Sequence, residues 1–118
     1  MRSILVVEDE KNLLELYKSE LEDDGYHVFP AGNGREAIES VKKQRPDVVV
    51  LDIKLSDMEG LEVLNEIKSF DKTIPVIINS AYSVYKSDFT SWMADDYIVK
   101  SSDISGLLEK IRELLGGL

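Results

Sequence analysis

Polar side chains that suit phosphoryl and metal chemistry directly follow four short strand-like runs of the sequence. They are Glu8 and Asp9 after Ile4–Val7, Asp52 after Val48–Leu51, Ser80 after Pro75–Asn79, and Lys100 after Asp96–Val99. A strand that helices cover on both faces reads as such a run of Val, Ile and Leu. In open parallel sheets, ligands bind outside the carboxyl ends of the strands. Three carboxylates, a hydroxyl and an ammonium gathered at that edge would suit a divalent cation and a phosphoryl group.

The three carboxylates would repel one another unless their pKa values rise or a cation binds between them. Oxygen ligands without His or Cys favour a hard ion such as Mg²⁺, which takes few protein ligands and keeps several waters. Two carboxylates and a backbone carbonyl from the loop after Asp52 would suffice. Simpler roles remain open for single residues: Glu8 and Asp9 could favour the positive end of a helix dipole, Ser80 could cap a helix, and Lys100 could be solvated.

The composition narrows the class of protein. At 118 residues the chain is expected to form one domain, residues 1–118, with its own core. It has no cysteine and a single histidine, so neither a disulfide nor a site with two imidazoles is available. A net charge of -9 argues against nucleic-acid binding by this chain alone. No apolar run approaches the ~18 residues of a membrane span, and Met1 to Ser3 leads directly into a strand without a signal segment. We therefore expect a cytoplasmic protein without membrane contact.

Strand and helix patterns alternate along the whole chain. The strands are expected over Ser3–Val7, Tyr26–Phe29, Asp47–Leu51, from Pro75, and over Asp96–Val99. The helices are expected over Lys11–Asp24, from the cap Asn33 to Pro46, over Leu61–Phe70, over the poorly helical Ser83–Met93, and after the cap Asp103. Five such units predict an α/β fold: a flavodoxin-like, doubly wound, five-stranded parallel sheet of order 2-1-3-4-5 with five helices on both faces. That order brings Glu8, Asp9 and Asp52 together.

Several stretches, in order and with their spacing, resemble a two-component response-regulator receiver domain of the chemotaxis-regulator type. They are Ile4–Glu10, Asn33–Ala37, Val50–Ile53, Met58–Leu64 and Ala94–Lys100. The resemblance covers essentially the whole chain. It implies a signalling switch that is no enzyme beyond its own phosphoryl transfer and dephosphorylation.

The resemblance also implies roles for individual residues. Asp52 would accept a phosphoryl group from the phosphohistidine of a sensor histidine kinase or phosphotransfer protein. Asp9, Asp52 and the main-chain carbonyl of Lys54 would bind Mg²⁺, with Glu8 acting mostly through water. Ser80 and Lys100 would contact the phosphoryl oxygens, and Tyr97 would turn inward on activation. The physics agrees, because a carboxylate can form an aspartyl phosphate and charge neutralisation drives phosphoryl transfer.

The chain departs from the family pattern near Lys100. Ser101 stands where proline is usual, so we predict a trans Lys100–Ser101 peptide bond, because a cis bond before serine costs ~2.5–4 kcal/mol.

The segment Ser83–Met93 has weak helix formers and is expected to be the most mobile or irregular part of the fold. A second copy of the chain, forming a homodimer, or a downstream protein would bind through Ser83–Val99 and the last helix.

Three other interpretations compete with a working receiver. A degenerate receiver would bind partners without phosphorylation, but Glu8, Asp9, Asp52, Ser80 and Lys100 are all present. A flavodoxin-like cofactor binder would need a phosphate-binding loop where the chain has three consecutive acids, Glu8 to Glu10. A haloacid-dehalogenase-type phosphatase usually has a second aspartate two residues after the first, where Lys54 stands.

Overall fold

The computed structural model describes residues 1–81, 94–101 and 103–116. Five strands and four helices lie in these ranges, numbered here in chain order. The strands are β1 (Ser3–Val7), β2 (His27–Ala31), β3 (Val48–Leu51), β4 (Val76–Ser80) and β5 (Asp96–Val99). The helices are α1 (Lys11–Asp23), α2 (Gly34–Gln44), α3 (Gly60–Phe70) and α4 (Ser105–Leu114). Within these ranges, every helix is too short or too polar to cross a bilayer.

The sheet has the predicted order β2-β1-β3-β4-β5, and every pair of neighbours is parallel. Alternate residues of each strand face opposite layers. Leu5 and Val7 pack with α2 and α3, whereas Ile4 and Val6 pack with α1 and α4. All four residues of β3 and all five of β4 are buried. Helices therefore cover both faces, which is why the strands read as continuous apolar runs.

Local signals account for most element boundaries. Gly25 adopts a left-handed φ of 97° just after α1, at the position where glycine commonly ends a helix. The side chain of Asn33 accepts a hydrogen bond from the backbone N–H of Glu36, so the predicted cap of α2 is confirmed. The Asp103 carboxylate accepts the N–H of Ser105, although α4 itself begins after Ile104. The cap prediction was therefore right in its chemistry and displaced by one position.

The carboxyl end of the second strand differs from its prediction. The second strand was predicted to end at Phe29 but continues through Pro30 to Ala31. Because β2 is an edge strand, a proline without an N–H is tolerated there. The predicted helix Ser83–Met93, with its expected irregularity, lies outside the described residues. The Lys100–Ser101 bond is trans, as predicted, and the described ranges contain no cis peptide bond.

Gly60 allows α3 to begin directly against the backbone of the residues that follow β3. A Cβ atom at Gly60 would lie 2.7 Å from the Ile53 Cα and 3.0 Å from the Asp52 carbonyl oxygen. By contrast, a Cβ atom at Gly106 in α4 would meet nothing within 4 Å. The two glycines therefore make a matched pair for testing the close approach at Gly60.

We expect Gly60→Ala to lower the free energy of unfolding by about 1–3 kcal/mol, because backbone atoms cannot move aside as a flexible side chain can. Gly106→Ala should instead raise it by up to about 1 kcal/mol, because alanine is the better helix former. Urea denaturation of both variants measures the difference. Equal effects of the two substitutions would show that the contact at Gly60 is not restrictive.

Candidate functional site

Backbone hydrogen bonds place the site residues just beyond the strand ladders. The N–H of Glu8 donates to the Ala31 carbonyl at 3.0 Å, and the N–H of Asp52 donates to the Val7 carbonyl at 3.1 Å. Between β4 and β5, the N–H of Lys100 donates to the Ser80 carbonyl at 2.6 Å. Each bond extends the pairing of two parallel strands by one step. The sheet itself thus fixes where these side chains begin.

Three acidic side chains converge where the sequence predicted. Glu8, Asp9 and Asp52 each offer a carboxylate oxygen, and these oxygens lie within 4.8 Å of one another. Glu8 is 2% exposed and Asp52 is 7% exposed, whereas Asp9 is open to solvent. The cluster therefore has two buried members and one that an ion from solvent meets first.

Lys100 holds the two buried carboxylates together. Its Nζ lies 2.6 Å from Glu8 Oε1 and 3.0 Å from Asp52 Oδ2. Burial disfavours the charged form of Lys100, but the hydrogen bond with Glu8 and the charge of Asp52 outweigh it, so the Lys100 pKa lies above its usual value. The ammonium is therefore a fixed positive charge beside Asp52.

Glu8 makes contacts with both of its carboxylate oxygens. Oε1 pairs with Lys100, and Oε2 accepts the backbone N–H of Glu10 at 3.1 Å. Burial raises the Glu8 pKa, the bond with Lys100 lowers it, and the charge of Asp52 raises it again, with a net rise. Both carboxylate oxygens of Glu8 are therefore in contact with protein groups.

Ser80 and Tyr97 lie on the adjacent strands β4 and β5. Ser80 is the last residue of β4, is fully buried, and pairs in register with Val99. Tyr97 lies on β5 opposite Ile78 and is 3% exposed, so its ring is inside the core layer of α2 and α3. Tyr97 is thus buried although β5 is an edge strand of the sheet.

Lys54 lies in the loop between β3 and α3 (residues 52–59, here the β3–α3 loop). Its backbone forms an isolated antiparallel bridge with Glu59, and the Ile53 carbonyl accepts the N–H of Gly60 at 2.8 Å. Its side chain is exposed. The loop is thus closed on itself at its base, next to Asp52.

Sequence reasoning missed Asp57 and Lys68. Asp57, in the β3–α3 loop, accepts hydrogen bonds from two backbone N–H groups of α2. Lys68, on α3, is buried at the amino ends of β4 and β5. It therefore lies at the end of the sheet opposite to the cluster of Glu8, Asp9 and Asp52. Its spacing from Leu61 and Leu64 places it on the apolar face of α3, which was the available signal.

Comparison with known proteins gives consistent matches. A family model described as the response regulator receiver domain matches residues 4–112. The probable transcriptional regulatory protein TcrX of Mycobacterium tuberculosis is 37% identical over 115 residues, which cover 96% of this chain and 49% of TcrX. The chain spans about half the length of TcrX and of the response regulator ArlR of Staphylococcus saprophyticus, another relative that it matches.

Solved structures of one response regulator, TrrA of Thermotoga maritima, are also similar. TrrA in complex with Mg²⁺-BeF is 45% identical, with a TM-score of 0.92 and coverage of 97% of this chain and 99% of that chain. TrrA in complex with the histidine kinase ThkA gives 45% identity and a TM-score of 0.90, with coverage of 98% and 99%.

Proposed function

The chain belongs to the response regulator receiver domains of two-component systems, and we propose that phosphorylation of Asp52 switches it between signalling states. The observation that carries this proposal is the contact of Lys100 with Asp52 inside a cluster of three carboxylates. That combination provides a nucleophile, a charge to neutralise the incoming group, and a site for a cation.

The donor set fits Mg²⁺. We propose that Asp9, Asp52 and the main-chain carbonyl of Lys54 hold the ion, because all are hard oxygen donors and the carboxylates already lie close together. Glu8, whose oxygens contact Lys100 and the Glu10 N–H, would hold water molecules around it. When bound, Mg²⁺ neutralises charge on the phosphoryl oxygens. The complex of TrrA with Mg²⁺-BeF supports this assignment.

In the proposed transfer, a carboxylate oxygen of Asp52 attacks the phosphorus of a phosphohistidine. The new P–O bond forms as the P–N bond breaks, and the electron pair of that bond returns to the imidazole. Lys100 moves from Asp52 onto the phosphoryl oxygens, and the hydroxyl of Ser80 donates to another of them. The donor would be a sensor histidine kinase or a phosphotransfer protein, which the TrrA complex with the kinase ThkA supports. Hydrolysis of the aspartyl phosphate by water resets the switch.

The response to phosphorylation would pass from Ser80 to Tyr97, because the two residues lie on neighbouring strands. Movement of Ser80 toward the phosphoryl group would change the space around the Tyr97 ring and favour one of two conformations. The output surface would include Ser83–Val99 and α4, where a downstream protein or a second copy of the chain would bind. Most of Ser83–Val99 lies outside the described residues.

Incubation with acetyl phosphate tests the proposal against a degenerate receiver. We expect the intact mass to increase by one phosphoryl group in the presence of Mg²⁺, and not to increase with a chelator. A chain that gains no phosphoryl group at saturating Mg²⁺ would be a degenerate receiver.

Magnesium should also stabilise the fold, because it binds the assembled carboxylates and not the unfolded chain. At a concentration of 100 times the Kd, the gain is about 2.7 kcal/mol, which calorimetry detects as a higher melting temperature. Asp9→Asn should lose most of this gain, whereas Asp103→Asn, an exposed acid beyond the same sheet edge, should keep it. Equal gains in both variants would place the ion elsewhere.

A further inference from the structure

The β3–α3 loop is tied to α2 by one side chain. The two carboxylate oxygens of Asp57 accept the backbone N–H of Gly34 at 2.8 Å and that of Arg35 at 3.0 Å. These donors belong to the first turn of α2, 22 and 23 residues away in sequence. Because the first N–H groups of a helix have no partner within the helix, they are available to such an acceptor.

The other two N–H groups of this turn are satisfied locally. Asn33 accepts the Glu36 N–H with its side chain and the Ala37 N–H with its carbonyl. Asn33 is therefore the ordinary cap of α2, and Asp57 adds bonds that come from a different element. The bonds of Asp57 join the loop to the helix, whereas those of Asn33 stabilise only the helix.

Packing beside Asp57 reinforces the connection. The Met58 side chain lies so close to Gly34 that a Cβ atom there would be 2.9 Å from the Met58 Sδ. The bonds from Gly34 and Arg35 also lower the pKa of Asp57, so its carboxylate is charged at neutral pH. The same loop carries Lys54, whose backbone is bridged to Glu59.

We propose that Asp57 is a positioning residue for the metal site, which holds the β3–α3 loop so that the Lys54 carbonyl faces the ion before the ion arrives. This inference rests on the proposed function, because it assigns Asp57 to the Mg²⁺ site described above. Without the two bonds, the loop would have to be ordered during binding, and that ordering would reduce the affinity for Mg²⁺.

The test is an NMR titration of the whole chain with Mg²⁺, well below the melting temperature. Loss of two hydrogen bonds should weaken Mg²⁺ binding in Asp57→Ala by about tenfold. Asp57→Asn retains one carbonyl acceptor and should be intermediate, and it keeps the test decisive if the alanine variant does not fold. At saturating Mg²⁺, the rate of phosphorylation by acetyl phosphate should return to within about twofold of the wild-type rate.

Two matched variants separate positioning from other effects. Asn33→Ala removes the local cap of α2 without touching the loop, so it should lower stability but leave the Kd for Mg²⁺ unchanged. Glu59→Gln removes one negative charge from the same loop, where Glu59 makes no capping hydrogen bond to α3, and should also leave the Kd unchanged.

Unchanged Mg²⁺ affinity in both Asp57 variants would overturn the positioning role while leaving the proposed function intact. An equal loss in Asn33→Ala would also overturn it, because helix stability would then explain the effect, and an equal loss in Glu59→Gln would assign the effect to charge. Absence of Mg²⁺ binding by the wild-type chain would overturn the metal site and this inference together.

Discussion

Asp52→Asn is expected to abolish the incorporation of phosphoryl groups from acetyl phosphate. The substitution preserves the size of the side chain and an oxygen that accepts a hydrogen bond from Lys100. The amide lacks the negative charge that makes the carboxylate a nucleophile, so the chemical step is lost while the surroundings remain. Intact mass spectrometry before and after treatment measures the result directly.

Asp103→Asn is the control for this experiment. Asp103 is an exposed aspartate in the segment that follows β5, where its carboxylate accepts the N–H of Ser105. This variant should gain one phosphoryl group as the wild-type chain does. Incorporation by Asp52→Asn at the wild-type level would show that another residue is the acceptor.

Lys68→Met should lower the free energy of unfolding by about 2–4 kcal/mol. The Lys68 Nζ donates to the Ile74 carbonyl at 2.7 Å and lies 2.8 Å from Asp95 Oδ2, with only 5% of the lysine side chain exposed. Methionine would fill similar space but leave these acceptors without their donor. The loss stays below the full cost of breaking a buried pair because the Asp95 side chain is 36% exposed and water can reach it.

Lys72→Met is the matched control, because Lys72 is exposed and lies in the turn that follows α3. It should change stability by no more than about 0.5 kcal/mol. Urea denaturation of Lys68→Met, Asp95→Asn and the double variant then isolates the coupling of the pair. Asp95 also accepts the Val76 N–H at 2.7 Å, so loss of its charge should weaken the start of β4 as well. A cost for Lys68→Met no larger than that for Lys72→Met would contradict the structural role.

The sequence was sufficient to predict the sheet and the core of the site. Continuous apolar runs such as Val48–Leu51 identify strands buried on both faces, and short connections restrict their order. Once the order is known, parallel strands place the residues after their carboxyl ends at one edge. The convergence of Glu8, Asp9 and Asp52 follows from that rule, without any knowledge of individual side-chain contacts.

Contacts between distant side chains and backbone groups were not predictable in the same way. The acidic residue Asp57 is visible in the sequence, but its donors, Gly34 and Arg35, belong to another helix. Lys68 is visible as a lysine on an apolar face, yet its acceptors depend on how the turn after α3 folds. The contact of Lys100 with Glu8 likewise joins residues that follow two different strands, β5 and β1. Such contacts depend on three-dimensional distances that a one-dimensional pattern does not contain.

The most direct test of the account is to identify the residue that carries the phosphoryl group. Borohydride reduces an aspartyl phosphate to homoserine, so treatment of the chain after reaction with acetyl phosphate and Mg²⁺ leaves a stable mark at the acceptor. Peptide sequencing by tandem mass spectrometry should find homoserine at position 52 and an unmodified Asp9. Homoserine at Asp9 or any other aspartate, with Asp52 unmodified, would contradict the account.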